Sequence, residues 1–176
     1  LLLTFDDGTQ SQYDNALPEL DRYGYKALFF IMTITLNKPD FMSREEIRVL
    51  SEQGHLIGCH TWDHHDVRSY NATDWKIQLV KPVQVLEQIT GKPVRCFAYP
   101  FGSWNSAAII RLKEQGFLAA FQLGGHTDNA EPRFTIRRIL VDGHWDTPQL
   151  LNVISAYDRL KYRQHGATRK DAGEGL

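Results

Sequence analysis

The chain has 176 residues, with 20 lysines and arginines against 21 aspartates and glutamates. Because the charge is balanced and no basic stripe is visible, the composition argues against a nucleic-acid footprint. The cysteines, Cys59 and Cys96, are too far apart to indicate a zinc ribbon or a disulfide framework. No apolar stretch reaches the roughly 18 residues of a membrane span, and no signal segment is recognisable within these 176 residues. Since the chain starts inside a predicted core strand, we expect that an upstream segment has been removed.

The first element is an apolar run from Leu1 to Phe5 that ends at Asp6, Asp7 and Gly8. Such a run is typical of a strand buried on both faces in a parallel sheet, where the loops after the strands carry function. Neighbouring strand residues point to opposite faces, so the two carboxylates could take different roles. The alternative is that Asp-Asp-Gly only forms a turn.

Alternating strand and helix patterns continue along the chain. Apolar runs predict further strands at 25–34, 55–59, 94–102, 117–121 and 135–141. Helical spacing predicts helices at 13–23, 43–54, 74–90, 105–116 and 147–157, with Ser43 and Glu46 as a capping box and kinks at Pro18 and Pro82. The alternation predicts a parallel α/β domain, either barrel-like or doubly wound. Because no Gly-x-Gly-x-x-Gly or phosphate-loop lysine occurs, we favour the barrel, with its chemistry at the carboxyl ends of the strands.

The segment His60-Thr61-Trp62-Asp63-His64 follows the third predicted strand. Histidines four residues apart lie on one helical face, or in one tight loop, and can bind the same ion. Adding Asp7 gives a set of two histidines and one carboxylate, which leaves coordination positions open for water and substrate. The alternative is a pair of surface histidines.

Three segments, Thr4–Gly8, His60–His64 and Phe97–Gly102, stand in this order. Together they resemble the polysaccharide deacetylase family, also called the NodB-homology domain or carbohydrate esterase family 4, from Leu1 to about Val153. The resemblance implies a distorted (β/α) barrel that forms a single catalytic domain at 1–155, followed by a polar tail at 156–176.

The resemblance also implies roles for individual residues. Asp6 corresponds to the catalytic base, and Asp7, His60 and His64 correspond to the ligands of a divalent metal ion, with zinc as first choice and cobalt or nickel as alternatives. The backbone N–H of Tyr99 corresponds to a donor that holds the oxyanion. Some aromatic residues could offer stacking faces for sugar rings, although aromatics are more often core residues: Trp62, Trp104, Trp145 and Tyr99.

Two departures from the family pattern affect the site. Many members carry an arginine that pairs with the base where this chain has Ala98, and we predict that Arg138 substitutes for it, in preference to Arg95. The usual Leu-x-x-His block, which supplies a histidine acid, has no clear match. His126 is our candidate for that acid, with His144 as second choice, and both could instead be plain loop histidines.

The predicted function is metal-dependent removal of acetyl groups from N-acetylated sugars of a polysaccharide of the poly-N-acetylglucosamine, chitin-like or peptidoglycan type. The alternatives are an O-acetyl esterase of the xylan type, a catalytically impaired carbohydrate-binding homologue, and an amidohydrolase of small cyclic amides. The expected partner is a polysaccharide or oligosaccharide rather than nucleic acid, and the expected state is a monomer. The family implies an extracellular, cell-surface or periplasmic location.

Overall fold

The computed structural model describes residues 1–167, with side chains through residue 157. The strands in this part of the chain are Leu3–Phe5 (β1), Ala27–Ile31 (β2), Leu56–Cys59 (β3), Cys96–Ala98 (β4), Ala119–Gln122 (β5) and Ile136–Arg137 (β6). The helices are Leu17–Arg22 (α1), Arg44–Glu52 (α2), Ala72–Trp75 (α3), Lys81–Thr90 (α4), Ser106–Glu114 (α5) and Thr147–Ala167 (α6). The predicted alternation of strands and helices is therefore present.

All six strands belong to one parallel sheet whose spatial order is the order of the sequence, β1 to β6. A doubly wound sheet would reverse its strand order at a switch point. The sheet shows no such reversal, and the barrel-like alternative is confirmed.

The two faces of the sheet are covered differently. Alternate side chains of β2 point to opposite faces, with Phe29 in a large cluster and Phe30 in a small one. The large cluster contains side chains from four helices: Leu17, Leu20, Ile47, Leu50, Leu86, Ile89, Ala108 and Leu112. The small cluster is built from strand residues: Leu28, Phe30, Ala98 and Phe121. Helices thus pack on one face, and the other face is the interior of a curled sheet.

The curl brings the two edge strands together. In a flat sheet, β1 and β6 would lie about 24 Å apart, given about 4.8 Å between neighbouring strands. Instead, Nη1 of Arg138, the residue after β6, lies 3.2 Å from Oγ1 of Thr4 in β1. The sheet is therefore a half-barrel whose open side is bridged by a side chain.

Prolines and caps determine where the helices begin. The predicted capping box of α2 is present, since Ser43 and Glu46 exchange side-chain and backbone hydrogen bonds. Pro18 and Pro82 lie in the first turns of α1 and α4, and each helix is preceded by a π-helical turn. The irregularity predicted at each proline thus takes the form of a π turn, because proline cannot donate the i to i−4 hydrogen bond.

Several elements differ in length from the prediction. The second strand, predicted at 25–34, spans Ala27–Ile31, and the fourth, predicted at 94–102, spans Cys96–Ala98. The sixth strand, predicted to reach Val141, ends at Arg137, because its partner β5 already ends at Gln122, which is paired with Arg137. The last helix, predicted to end at Tyr157, continues to Ala167, and the sequence 158–165 contains no proline or glycine that would stop it. The rest of the predicted tail, 168–176, lies outside the described residues.

The chain forms two compact units. The first, Leu1–Arg138, holds the complete sheet, and the second, Ile139–Leu176, contains α6. The domain boundary at 155/156 stays a prediction. Among the described helices, none combines the length and apolar character that a membrane crossing requires.

A buried histidine lies at the amino-terminal end of β3. His55 is almost fully buried, its Nδ1 accepts a hydrogen bond of 3.2 Å from the Ala27 N–H, and its ring meets Phe29 edge to face at 5.5 Å. Because Nδ1 is an acceptor, Nε2 carries the proton, and Nε2 has no hydrogen-bond partner in the described residues. Burial, with a smaller contribution from Lys26, lowers the pKa of His55 below its usual value.

We therefore expect the free energy of unfolding to decrease as the pH falls below about 6.5, the ordinary pKa of histidine. Below this pH the unfolded chain binds a proton at His55 that the folded chain binds only at lower pH. The contribution of neutral His55 to the free energy of unfolding is complete above about pH 6.5. Below this pH, the free energy of unfolding falls by at most about 1.4 kcal/mol per pH unit. Denaturant unfolding between pH 5 and 8 should show a flatter dependence for His55→Asn, whereas the exposed control His144→Asn should match the original chain. Equal slopes in all three proteins would contradict the assignment.

Candidate active site

The side chains predicted to bind metal come together at the carboxyl end of the sheet. Asp7 follows β1 and His60 follows β3, on either side of β2. The Oδ1 atom of Asp7 lies 3.6 Å from Nε2 of His60, and the potential ligand atoms of Asp7, His60 and His64 all lie within 4.8 Å of one another. The three predicted ligands therefore lie close enough together to bind one metal ion.

His60 is oriented by its second ring nitrogen. Its Nδ1 lies 2.7 Å from the carbonyl oxygen of Ala98, at the end of β4, and therefore donates to it. This fixes the tautomer in which Nε2 presents a lone pair toward Asp7 and His64. Burial, only partly opposed by the nearby carboxylates, lowers the pKa of His60. The ring is therefore neutral, as a metal ligand must be.

His64 lies in a tight loop, which decides between the helix and loop alternatives. Thr61 and His64 both have a φ of 67°, in the left-handed region that non-glycine residues rarely adopt. The loop is held by the Thr61 hydroxyl, which accepts from the His64 N–H at 3.0 Å, and by Gln78 Oε1, which accepts from the Trp62 N–H at 3.2 Å. Gln78 was not predicted, because its burial depends on tertiary packing and the same helical segment contains other glutamines.

Asp7 has the properties of an anionic ligand. It is also left-handed, with a φ of 73°, and its Oδ1 is buried without a hydrogen bond from any described residue. A buried carboxylate oxygen without a donor is costly unless a cation compensates it. Together with two imidazole nitrogens, this oxygen completes a donor set that suits zinc and leaves positions open. The three residues therefore fit a divalent metal ion.

Asp6 is paired with Arg138. The Nη1 and Nη2 atoms of Arg138 donate to Oδ1 and Oδ2 of Asp6 at 2.6 and 2.7 Å, and the guanidinium lies over the Phe30 ring at 5.3 Å. The predicted pairing of Arg138 with Asp6 is thus present. Arg95, the less favoured candidate, instead donates to the Gly116 carbonyl. The carboxylate of Asp6 remains near the candidate metal ligands, with Oδ2 3.9 Å from Nε2 of His60.

Tyr99 does not have the predicted geometry. Its backbone N–H donates to the Phe121 carbonyl at 3.0 Å, and its hydroxyl donates to the Phe134 carbonyl at 3.0 Å. Its side chain is fully buried, and burial raises its pKa. The assignment of the Tyr99 N–H as oxyanion donor is therefore wrong, because pairing between β4 and β5 already uses that N–H. The buried ring is also unavailable for stacking on sugars.

Phe101, two residues later, is the member of this motif that reaches the site. It is exposed, has a φ of 59°, and packs its ring edge to face on His64 at 4.5 Å. Strained positions of this kind cluster at functional sites. The sequence shows a Pro-Phe-Gly turn here but does not reveal which of its N–H groups is left outside the sheet.

The two candidate acids are not paired with the cluster. His126 is exposed and stacks on Trp104, with ring centroids 5.5 Å apart, and no hydrogen bond or ion pair within residues 1–157 joins its side chain to Asp6, Asp7, His60 or His64. His144 lies in the second compact unit, where its Nδ1 is hydrogen-bonded to Asp142 at 2.9 Å. The role of His126 as an acid stays a prediction without geometric support.

Comparison with known proteins identifies the family. A family model described as polysaccharide deacetylase matches residues 1–120, which include all three candidate metal ligands and Asp6. This chain belongs to the polysaccharide deacetylase family. The predicted membership is thereby confirmed.

Two deacetylases illustrate the relationship. A peptidoglycan-N-acetylglucosamine deacetylase of Bacillus cereus is 27% identical over 118 residues, and a chitin deacetylase of Pestalotiopsis sp is 31% identical over 119 residues. The matches cover 66% and 65% of this chain but 41% and 38% of those proteins. The chain thus spans less than half the length of these relatives.

A solved structure supports the fold. The Streptococcus pyogenes deacetylase PplD in complex with acetate superposes on this chain with a TM-score of 0.78 at 19% identity. The superposition covers 86% of this chain and 68% of that one.

Metal binding can be tested directly by titrating zinc into the metal-free protein. We expect one site per chain, and His64→Ala should weaken binding at least about a hundredfold, because it removes one of three protein ligands. His65→Ala is the matched control, since the His65 ring is exposed and hydrogen-bonded to Asp63 at 2.6 Å. Equal losses in both variants, or none in either, would show that the site lies elsewhere.

Proposed function

We propose that this chain is the catalytic part of a metal-dependent N-deacetylase that acts on a polymer of N-acetylated sugars, of the poly-N-acetylglucosamine, chitin-like or peptidoglycan type. The observation that carries the proposal is the neighbouring placement of two differently partnered carboxylates. Asp7 faces two histidines, whereas Asp6 is held by Arg138 with its Oδ2 3.9 Å from His60. A metal site beside a positioned base is the arrangement that amide hydrolysis requires.

Different residues of this chain have different roles in the proposed reaction. Asp7, His60 and His64 would hold the cation, which when bound supplies Lewis acidity and makes water more acidic. Asp6 accepts the proton of the attacking water, using lone pairs that remain on oxygens already bonded to Arg138. Arg138 fixes both oxygens of that carboxylate and so orients it toward the reaction centre.

The developing oxyanion needs a donor other than Tyr99. We assign this role to the backbone N–H of Phe101, because Phe101 lies past the end of β4 and its ring contacts His64. Loss of one such donor typically costs about 2.7–4 kcal/mol in the transition state. When the C–N bond breaks, the departing amine takes up one proton, and Asp6 can return the proton that it accepted from water.

The substrate and the cellular setting are part of this proposal. The named activities of the Bacillus cereus and Pestalotiopsis relatives, on peptidoglycan and chitin, support an N-acetylated glycan as substrate. Such polymers lie outside the cytoplasm, which favours an extracellular, cell-surface or periplasmic location. The expected monomeric state stays a prediction.

Activity should depend on the metal and on Asp6. We expect acetate release from N-acetylglucosamine oligomers only after zinc, cobalt or nickel is restored to the chelated protein. Asp6→Asn should lower kcat about 10²- to 10⁴-fold, because it removes the base. Acetylated xylan, tested in parallel, should release less acetate than the N-acetylated oligomers.

The control is the metal affinity of Asp6→Asn, which should stay close to that of the original chain. Full activity of Asp6→Asn would overturn the mechanism, and a preference for acetylated xylan would move the substrate to O-acetyl esters. If the metal binds but no acetate is released from either substrate, the chain is a binding homologue.

Arg138 offers a separate test. Arg138→Lys keeps the charge but loses the two parallel hydrogen bonds, so we expect kcat to fall about a hundredfold while metal affinity is retained. The exposed pair of Arg111 with Glu114 supplies the control, and Arg111→Lys should leave kcat unchanged. Equal kcat values for the two variants would show that Arg138 does not position the base.

A further inference from the structure

The loop that carries His64 is held by side-chain acceptors. The backbone N–H groups of Trp62 and Asp63 donate to Gln78 Oε1 at 3.2 and 3.4 Å. The N–H of His64 donates to Thr61 Oγ1 at 3.0 Å. Thr61 and His64 both have left-handed backbones, and such a conformation persists only where surrounding contacts impose it. The shape of this loop therefore depends on the two side-chain oxygens.

Gln78 is the acceptor that comes from outside the loop. It lies in the helical segment that follows the loop, and its exposed fraction is 7%. Because both of its partners are N–H donors, the atom that faces them is the amide oxygen. The other glutamines of the segment, Gln84 and Gln88, are exposed on α4. Since burial of a glutamine is unfavourable unless its polar atoms are bonded, the contact with the loop explains why this one is buried.

A π turn brings Gln78 to the loop. Gln78 lies within the π-helical turn Lys76–Val80, between α3 and α4. Pro82 has no N–H with which to form the α-helical bond to the Gln78 carbonyl. Gln78 and the next residue, Leu79, are both buried, and Leu79 packs in the large cluster. The turn thus places a polar contact and an apolar contact at consecutive positions, and such turns are frequent at functional sites.

We propose that Gln78 is a positioning residue of the metal site, which keeps the loop in the conformation that places His64 beside Asp7 and His60. His64 is the candidate ligand that depends on this loop, whereas Asp7 and His60 lie next to the ends of β1 and β3. A ligand that is already in place does not have to be ordered when the ion binds, so the affinity for the ion is higher. The inference rests on the metal site of the proposed function and extends it, but it does not require that the chain releases acetate.

Substitutions at Gln78 separate the effect of the acceptor from that of packing. Gln78→Met keeps an unbranched side chain of similar size but removes the amide oxygen. Gln78→Glu keeps an oxygen that can accept both N–H groups. Gln84→Met is the matched control, because it makes the same change at an exposed position of the same helical segment.

Zinc titration of the metal-free proteins, followed by calorimetry, measures the effect. We expect Gln78→Met to weaken zinc binding about 10- to 100-fold, the usual range for residues that orient metal ligands. Gln78→Glu and Gln84→Met should both bind zinc as tightly as the original chain. Because methionine packs in an apolar environment better than glutamate, this order of affinities would identify the acceptor, and not packing, as the cause.

Thermal unfolding of the same metal-free variants supplies the opposing outcome. If Gln78→Met lowers the unfolding temperature but binds zinc as tightly as Gln84→Met, Gln78 only stabilises the fold and the proposal fails. Equal zinc affinities of Gln78→Met and Gln78→Glu would also overturn it. If Gln78→Met does not fold, Gln78→Asn, whose side chain is one methylene group shorter, takes its place with the same expected loss.

Acetate release from N-acetylglucosamine oligomers is measured separately. If Gln78→Met weakens zinc binding and no protein releases acetate even at saturating zinc, the positioning role stands and the proposed function fails. If the original chain releases acetate and Gln78→Met binds zinc as tightly as Gln84→Met, the function stands and the positioning role fails.

Discussion

The pair formed by Asp6 and Arg138 links the architecture of the sheet to the chemistry of the site. The two residues follow the first and last strands, which do not pair with each other in the described chain. Their two parallel hydrogen bonds connect the edges of the half-barrel and also fix the carboxylate proposed to act as base. A charged pair of this geometry, with the arginine largely buried, is stronger than an exposed ion pair. Its position therefore serves both closure of the sheet and orientation of the reacting group.

Two adjacent aspartates acquire different properties because their partners differ. Asp6 is paired with a guanidinium, whereas Asp7 turns into the left-handed region and places a buried oxygen close to His60 and His64. The contrast is produced by the backbone, since a regular strand continued through Asp7 would not give it this conformation. A cation would therefore bind at Asp7, whose charge no arginine or lysine compensates in the described residues, rather than at Asp6, whose charge Arg138 compensates.

The sequence was sufficient for the order of the elements, the grouping of Asp7 with His60 and His64, and the pairing of Arg138 with Asp6, because apolar runs and motif order can be read from the sequence. The sequence was insufficient for features that depend on how neighbouring strands pair. The Tyr99 N–H donates a hydrogen bond to the Phe121 carbonyl of β5. Phe101 adopts a left-handed conformation, which cannot be predicted from a phenylalanine in the sequence. The short sixth strand likewise depends on where its neighbour β5 ends. Such features arise from tertiary contacts, which no single segment encodes.

The separation of Asp6 and Arg138 along the chain, 132 residues, has a consequence for biosynthesis. All three candidate metal ligands have been synthesised once the ribosome has passed His64, whereas the partner of Asp6 emerges much later. Contacts so distant in sequence form late, because a long loop must close before they stabilise the fold. A nascent chain can thus gather its candidate metal ligands early, whereas the partner that orients Asp6 arrives only with the last strand.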